Sequence, residues 1–145
     1  MSFAVINMTF VNDTAYELSF LSPGDPQHGT PPNASPNPVS PVGKPGNVST
    51  VSASSNSNIT GPGPQGTFQW QIVGTVPTQF INCSYNHPFG TGTTTVNVTC
   101  PPGFTVQCGN LGPAQSLTLD SNTPSLQNHN NATCQITVAG SQSTN

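Results

Sequence analysis

The residues with the most chemistry to offer are four cysteines, Cys83, Cys100, Cys108 and Cys134. None stands in a C-x-x-C pair, which removes zinc-ribbon and dithiol-redox readings and leaves disulfides or small buried side chains. Four cysteines permit three intramolecular pairings, and the sequence does not choose among them. A hairpin turning at Pro101-Pro102-Gly103 sets Cys100 opposite roughly Phe104 or Thr105, so a direct Cys100–Cys108 bridge is awkward. Two internal disulfides, at least one bond between molecules, or free thiols are the alternatives. His28, His87 and His129 fall in predicted loops, and His87 follows Cys83 closely enough to suggest a Cys/His dyad. A nucleophile also needs an orienting group and a shaped cleft. The carboxylates are only Asp13, Glu17, Asp25 and Asp120, too few to supply paired acid–base chemistry. With no G-x-S-x-G, H-E-x-x-H, P-loop or G-x-G-x-x-G, the chain does not read as an enzyme, and neither cofactor nor metal is expected. The carboxylates and histidines are better read as pH-sensitive groups: acid neutralises the first set and charges the second.

Asparagine offers the next chemistry. Asn7, Asn12, Asn33, Asn47, Asn58, Asn82, Asn97 and Asn131 each begin an N-x-S/T sequon, about twice the number that composition alone gives. That pattern suits a glycosylated secreted or vacuolar protein. Against it, Asn82 and Asn97 lie within predicted strands, where a glycan would disturb packing.

Charge excludes several functions. Lys44 is the only cation of the Lys/Arg type and there are four carboxylates, five charged residues in 145, where average composition gives about 36. Nucleic acid is excluded as a partner, because displacing counterions from phosphates takes several Lys or Arg. A polybasic membrane contact fails for the same reason. Polarity comes instead from 16 Asn, 10 Gln, 16 Ser and 19 Thr. Neutral amides and hydroxyls can be buried in contacts without the several kcal/mol that desolvating an ion costs, and low net charge promotes association. The partner this suggests is a second copy of the chain. Residues 1–10 show neither a basic n-region nor an apolar h-region, so no secretory signal is expected there.

The elements that must position these groups are strands. No window shows helical periodicity, whereas period-two alternation of β-branched and aromatic residues recurs between Gly/Pro turns. Strands are predicted at Phe3–Val11, Ala15–Leu21, Asn47–Ala53, Thr67–Val73, Thr78–Tyr85, Thr94–Cys100, Phe104–Cys108, Gln115–Leu119 and Ala132–Val138, with a tight turn at Asn12-Asp13-Thr14. Phe68, Trp70 and Ile72 should face the core and Gln69 and Gln71 the solvent; Tyr16, Leu18, Phe20, Val96 and Val98 should also point inward. Nine such strands predict an all-β fold, an antiparallel β-sandwich of the Ig-like or aegerolysin-like kind, in one domain spanning residues 1–145. Residues 139–145 read as a short polar tail. The tract Pro23–Gly46 holds Pro23, Pro26, Pro31, Pro32, Pro36, Pro38, Pro41 and Pro45, half of the chain's 16 prolines. It reads as an extended surface loop, or as a self-assembly strap laid on a neighbouring molecule.

Several segments carry a family resemblance. Val11-Asn12-Asp13-Thr14-Ala15-Tyr16-Glu17-Leu18, His28-Gly29 and Pro31-Pro32 are followed by Ser52-Ala53-Ser54, Gly61-Pro62 and Gly66-Thr67-Phe68-Gln69-Trp70. With Asn86-His87-Pro88-Phe89-Gly90 and Pro102-Gly103-Phe104, these resemble the small aegerolysin-like crystal-protein family of bacteria and fungi, over roughly residues 5–119. The resemblance implies a small β-sandwich that forms crystals, binds lipid or partners a pore-forming protein. Membrane-binding members use several exposed tryptophans, whereas this chain has only Trp70, predicted inside. Its cysteines, Pro-rich tract and near absence of charge are additions to the family pattern. They resemble the crystal proteins of mucoralean fungal vacuoles, which implies a disulfide-tied intravacuolar crystal dense enough to sediment and report gravity.

The expectation is therefore a non-catalytic, self-assembling structural protein of the vacuole, with the four cysteines and the Pro-rich tract as its contacts. The alternative is an aegerolysin-like module that binds membrane lipid or serves a toxin, for which Phe89, Tyr85 and Phe104 are the candidate exposed aromatics. An extracellular cell-wall or adhesion protein is a third reading.

Overall fold

A computed structural model describes residues 4–21, 26–56, 63–87, 93–108, 116–120 and 131–140, with 93, 108, 116–120 and 131–133 described by their backbone alone. Alternation sorts the chain into two layers. In β1 (Val5–Asp13), Ile6, Met8 and Phe10 are buried while Asn7, Thr9 and Val11 lie on the outer side. The same period runs through β4 (Val48–Ser54), β5 (Gln65–Val73) and β6 (Gln79–Asn86). With β2 (Glu17–Leu21), β3 (Asn33–Ser35), β7 (Thr93–Thr99), β8 (Phe104–Cys108), β9 (Ser116–Asp120) and β10 (Asn131–Gly140), they build two five-stranded sheets. One has the order β3-β4-β1-β10-β8 and the other β2-β5-β6-β7-β9. The expected β-sandwich is present, because strands with one apolar face must bury it against another such face.

Between the sheets, Phe10 from the first packs against Phe68 and Trp70 of the second at ring-centroid distances of 5.8 and 5.5 Å. Phe20 closes on the same two rings at 5.4 and 5.3 Å. Phe68, Trp70, Ile72, Leu18, Val96 and Val98 face inward as expected.

Four local expectations are corrected. The sandwich is not wholly antiparallel: β1 and β10 run parallel, from Val5 opposite Asn131 to Asp13 opposite Ala139. Alternation looks the same read in either direction, so it cannot give strand polarity. Residues 12–16 do not make a hairpin turn but carry the chain from one sheet to the other, since β1 and β2 belong to different sheets. Tyr16 is 38% exposed at that corner, its ring 5.8 Å from that of Phe104 and tilted 57° to it, because inward alternation begins only at Leu18. At the other terminus, Ala139 and Gly140 belong to β10, so the expected tail begins at the earliest at residue 141, outside the described residues.

The corner is built around Asn12, a fully buried amide. Its Nδ2 donates to the carbonyl oxygens of Tyr16 and Ser40 at 2.7 and 3.0 Å. Its Oδ1 accepts from the Thr14 N–H at 3.0 Å and the Thr14 hydroxyl at 2.7 Å. An Asn fits here because it supplies both donors and acceptors without carrying charge into the core.

The Pro-rich tract lies on its own sandwich. Within it, β3 pairs with β4. Val39 is fully buried and exchanges backbone hydrogen bonds with Leu18 at 2.8 and 3.0 Å. The Asn37 side chain accepts from the Phe20 N–H at 3.0 Å, and the Ser49 hydroxyl donates to the Pro36 carbonyl at 2.7 Å. The tract thus spans from the β3–β4 border of one sheet to the β2 edge of the other. Proline alone hides this, because it marks irregular chain without saying what that chain rests on.

Candidate functional site

Register across β5, β6 and β7 assembles an array that no single strand shows. Gln69 stands opposite Asn82, and Asn82 opposite Thr99; Thr67, Ser84 and Asn97 form a second row; Gln65, Asn86 and Thr95 form a third. All nine face away from the core, whose side of the same strands carries Phe68, Trp70, Ile81, Cys83, Tyr85, Val96 and Val98. Two adjoining depressions of about 340 and 400 Å³ cross the array and share Thr67, Ser84 and Asn97, with Gln27 of the tract forming part of one wall. The nine outward side chains are five amides and four hydroxyls, none of them ionisable, and the Gln69 Nε2 donates to the Asn82 Oδ1 at 2.6 Å.

The outer face of the first sheet has the same character. The Ser52 hydroxyl donates to the Asn7 Oδ1 at 2.6 Å, and the Thr9 and Thr50 hydroxyls lie 3.2 Å apart. Val11 opposes Val48, and Thr9 also opposes Gln135. Away from the ends of β1 and β2, neither outer face carries a charged residue among the described side chains. The three whose side chains are described, Asp13, Glu17 and Lys44, stand at one end of the sandwich, where β1 ends, β2 begins and residues 41–47 turn; Asp120, described by its backbone, ends β9.

This geometry explains the excess of sequons. A strand residue facing solvent, an apolar residue facing the core and a second solvent-facing residue read as N-x-S/T whenever the outer pair is Asn with Ser or Thr. Asn7-Met8-Thr9, Asn82-Cys83-Ser84 and Asn97-Val98-Thr99 are such triplets, and Met8, Cys83 and Val98 are buried. Asn12 begins a sequon too, but its amide is wholly buried and cannot carry a glycan in this fold.

The cysteines reach the core from both layers. Cys83 in β6 is 4% exposed and Cys134 in β10 is 6% exposed, while Cys100 after β7 is half-buried at the core's margin. Cys108 stands opposite Ile136 by register. Bonds from Cys83 or Cys134 to another molecule would require the sandwich to open. His87 follows directly after β6, outside the strands as expected, but it is buried at 1% exposure, with its Nδ1 2.6 Å from the Thr94 hydroxyl oxygen. His28 is exposed, and its backbone bridges to Gln65. Asp120 ends β9 opposite Thr93, whereas Pro23, Asp25 and His129 lie outside the described residues. Among the tract's prolines, Pro31, Pro36, Pro38 and Pro45 are exposed, Pro26 and Pro41 are half-buried and Pro32 is buried. Among the described residues no group of three or more His, Cys, Asp or Glu stands where it could hold a metal ion.

The aromatics proposed for lipid contact separate. Phe89 lies outside the described residues, and Phe104 is half-buried against Tyr16. Tyr85 is in the core at 2% exposure, and burial pushes its phenol up to about 12. Sequence reasoning missed the exposed aliphatic residues among those described, Leu21, Val42, Val48 and above all Val76, at 95% exposure beyond β5. The Gly74–Pro77 segment holding Val76 is a turn signal, and that was its only visible mark.

The chain matches no family model and no curated protein. It is similar in structure to RahU protein, whose crystal structure was determined in complex with a TRIS molecule. The two superpose with a TM-score of 0.61 over 97% of each chain, at 13% sequence identity, and therefore share this β-sandwich fold.

Proposed function

We propose that this chain is a non-catalytic structural protein whose working state is an ordered assembly of its own copies, with a disulfide-stabilised vacuolar crystal as the form its sequence resemblance implies. A crystal of that kind is dense enough to sediment, which is the property a gravity-sensing statolith uses. One observation carries the reading: apart from Asp13 and Glu17 at one end of β1 and β2, the outer-facing strand residues whose side chains are described carry no charge. In an ordinary soluble domain roughly a quarter of residues are charged, and most of those occupy such faces. Ions there cost folding nothing, so packing against like surfaces is the better account of their scarcity. Amide and hydroxyl rows pair with identical rows without stripping water from an ion. The test is to concentrate the full chain near neutrality and at about pH 4, where roughly half of ordinary carboxylate charge is lost, and to record diffraction from any solid. Sharp reflections, with the solid favoured in acid, are expected; a chain that stays dissolved or gives only amorphous precipitate overturns the reading.

The aegerolysin-like lipid-binding or toxin-component reading has one observation in its favour, the exposed apolar residues Val42, Val48 and Val76. Co-sedimentation of dissolved monomer with liposomes separates the two, since strong lipid-dependent pelleting without self-assembly supports the second.

A further inference from the structure

The four sheet edges are treated differently. On one side of the sandwich, β2 is covered by the Pro-rich tract: Val39 bonds both backbone groups of Leu18, and Asn37 accepts from the Phe20 N–H. On the same side, β3 is only three residues long and runs directly into Pro36. Short length, proline and covering chain are the devices by which natural sheets avoid pairing edge to edge. The far edges are β8 and β9. β8, Phe104-Thr105-Val106-Gln107-Cys108, contains neither proline nor charge, and its outward side chains Thr105 and Gln107 are exposed. Among the described residues no chain covers it, and an edge strand without these protections is a template for another strand.

We infer that β8 pairs antiparallel with β8 of a second copy about a two-fold axis, joining the two first sheets into one continuous sheet. This rests on the self-assembly reading and names the contact that begins it. A second copy is the occupant because the edge is charge-free and so is compatible with itself, and because a two-fold pairs a strand with its own sequence at no cost in complementarity. Register follows from alternation. Only pairings that keep Thr105 and Gln107 on the wet side and Val106 on the core side are allowed. The one that engages all five residues centres on Val106 and sets Thr105 of each copy opposite Gln107 of the other.

The experiment is sedimentation equilibrium on the full chain, with emission from Trp70, the chain's only tryptophan and fully buried, reporting that each variant is folded. The double variant Thr105→Lys/Gln107→Lys sets like charges opposite each other across the two-fold, and its self-association should weaken by about tenfold or more. Thr105→Glu/Gln107→Glu should weaken likewise, and an equimolar mixture of the two should associate again as a hetero-pair. Folded Lys and Glu variants that associate like the wild type, or a mixture that fails to recover, overturn the edge pairing while leaving self-assembly through the faces intact. A wild-type chain that stays monomeric throughout removes both.

Discussion

Asn12→Ala is the substitution whose cost the structure defines best. It deletes two hydrogen bonds donated by Nδ2 and two accepted by Oδ1, at 2.7–3.0 Å, from a site with no exposure. Neutral bonds contribute roughly 1 kcal/mol each net, and the Thr14 N–H, itself 1% exposed, is left without its acceptor. The expected loss is about 3–5 kcal/mol. For a chain of this length that lowers the melting temperature by roughly 10 °C. Asn12→Asp is nearly the same shape and keeps the acceptor, but turns a carboxylate oxygen toward the carbonyls of Tyr16 and Ser40. Burial and those carbonyls push such a carboxyl up, so its protonated form is favoured in the folded state. The stability belonging to that protonated form is full below the unfolded value and is lost as pH rises through the folded one. The Asp variant should thus be weakest near neutrality and recover in acid, while the Ala variant shows no such dependence. Urea titrations followed by Trp70 emission measure both. An Ala variant within about 0.5 kcal/mol of wild type, or an Asp variant with no extra pH dependence, would refute the corner as described.

Tyr85 gives a pH signature of the same sign at the other extreme: burial raises its phenol from 10.0 to about 12, so ionisation takes nothing from the fold below pH 10 and costs it stability as pH climbs from 10 to 12. Its buried hydroxyl has no hydrogen-bond partner among the described residues, so Tyr85→Phe should be neutral or stabilising at pH 7 and flatten the alkaline limb of a denaturation series. A Cβ on Gly66 would meet the Tyr85 Oη at 2.8 Å and the Pro26 Cβ at 3.2 Å, so Gly66→Ala should lose roughly 1–3 kcal/mol. Tyr85→Phe should restore part of it, and a double-mutant cycle with no coupling would count against that contact. Because Cys83 and Cys134 lie in the core, replacing either by Ala should leave any reductant-sensitive ladder of oligomers intact on non-reducing gels. Loss of the ladder with a retained fold would place those residues between molecules.

Strands and facings were legible because alternation is a local signal. All nine predicted strands have counterparts, and Phe68, Trp70 and Ile72 lie on the core side of β5. What alternation cannot carry is pairing. The parallel partnership of β1 with β10 joins the two termini of the domain, and the rows Gln69–Asn82–Thr99 and Thr67–Ser84–Asn97 exist only once three strands are in register. Each polar residue of that array was readable as wet; that they form one uncharged surface was not. β3 was missed because a three-residue strand bounded by Pro32 and Pro36 offers too few alternations to stand out. Tyr16 was placed inside because its spacing from Leu18 and Phe20 fits the strand period, although the chain at that point is still turning between sheets.

Self-assembly through an uncharged surface is the central claim, and sedimentation velocity of the full chain over a concentration series tests it most directly. The series is run at about 0.05 and 0.5 M salt, where screening of exposed charges differs severalfold. Wild type should form larger species as concentration rises, equally at both salts. Ser84→Lys, which places one cation in the middle row of the array, should hold the chain at smaller species with unchanged Trp70 emission. A wild-type chain that sediments as a monomer throughout, or that assembles only at one ionic strength, would contradict the account.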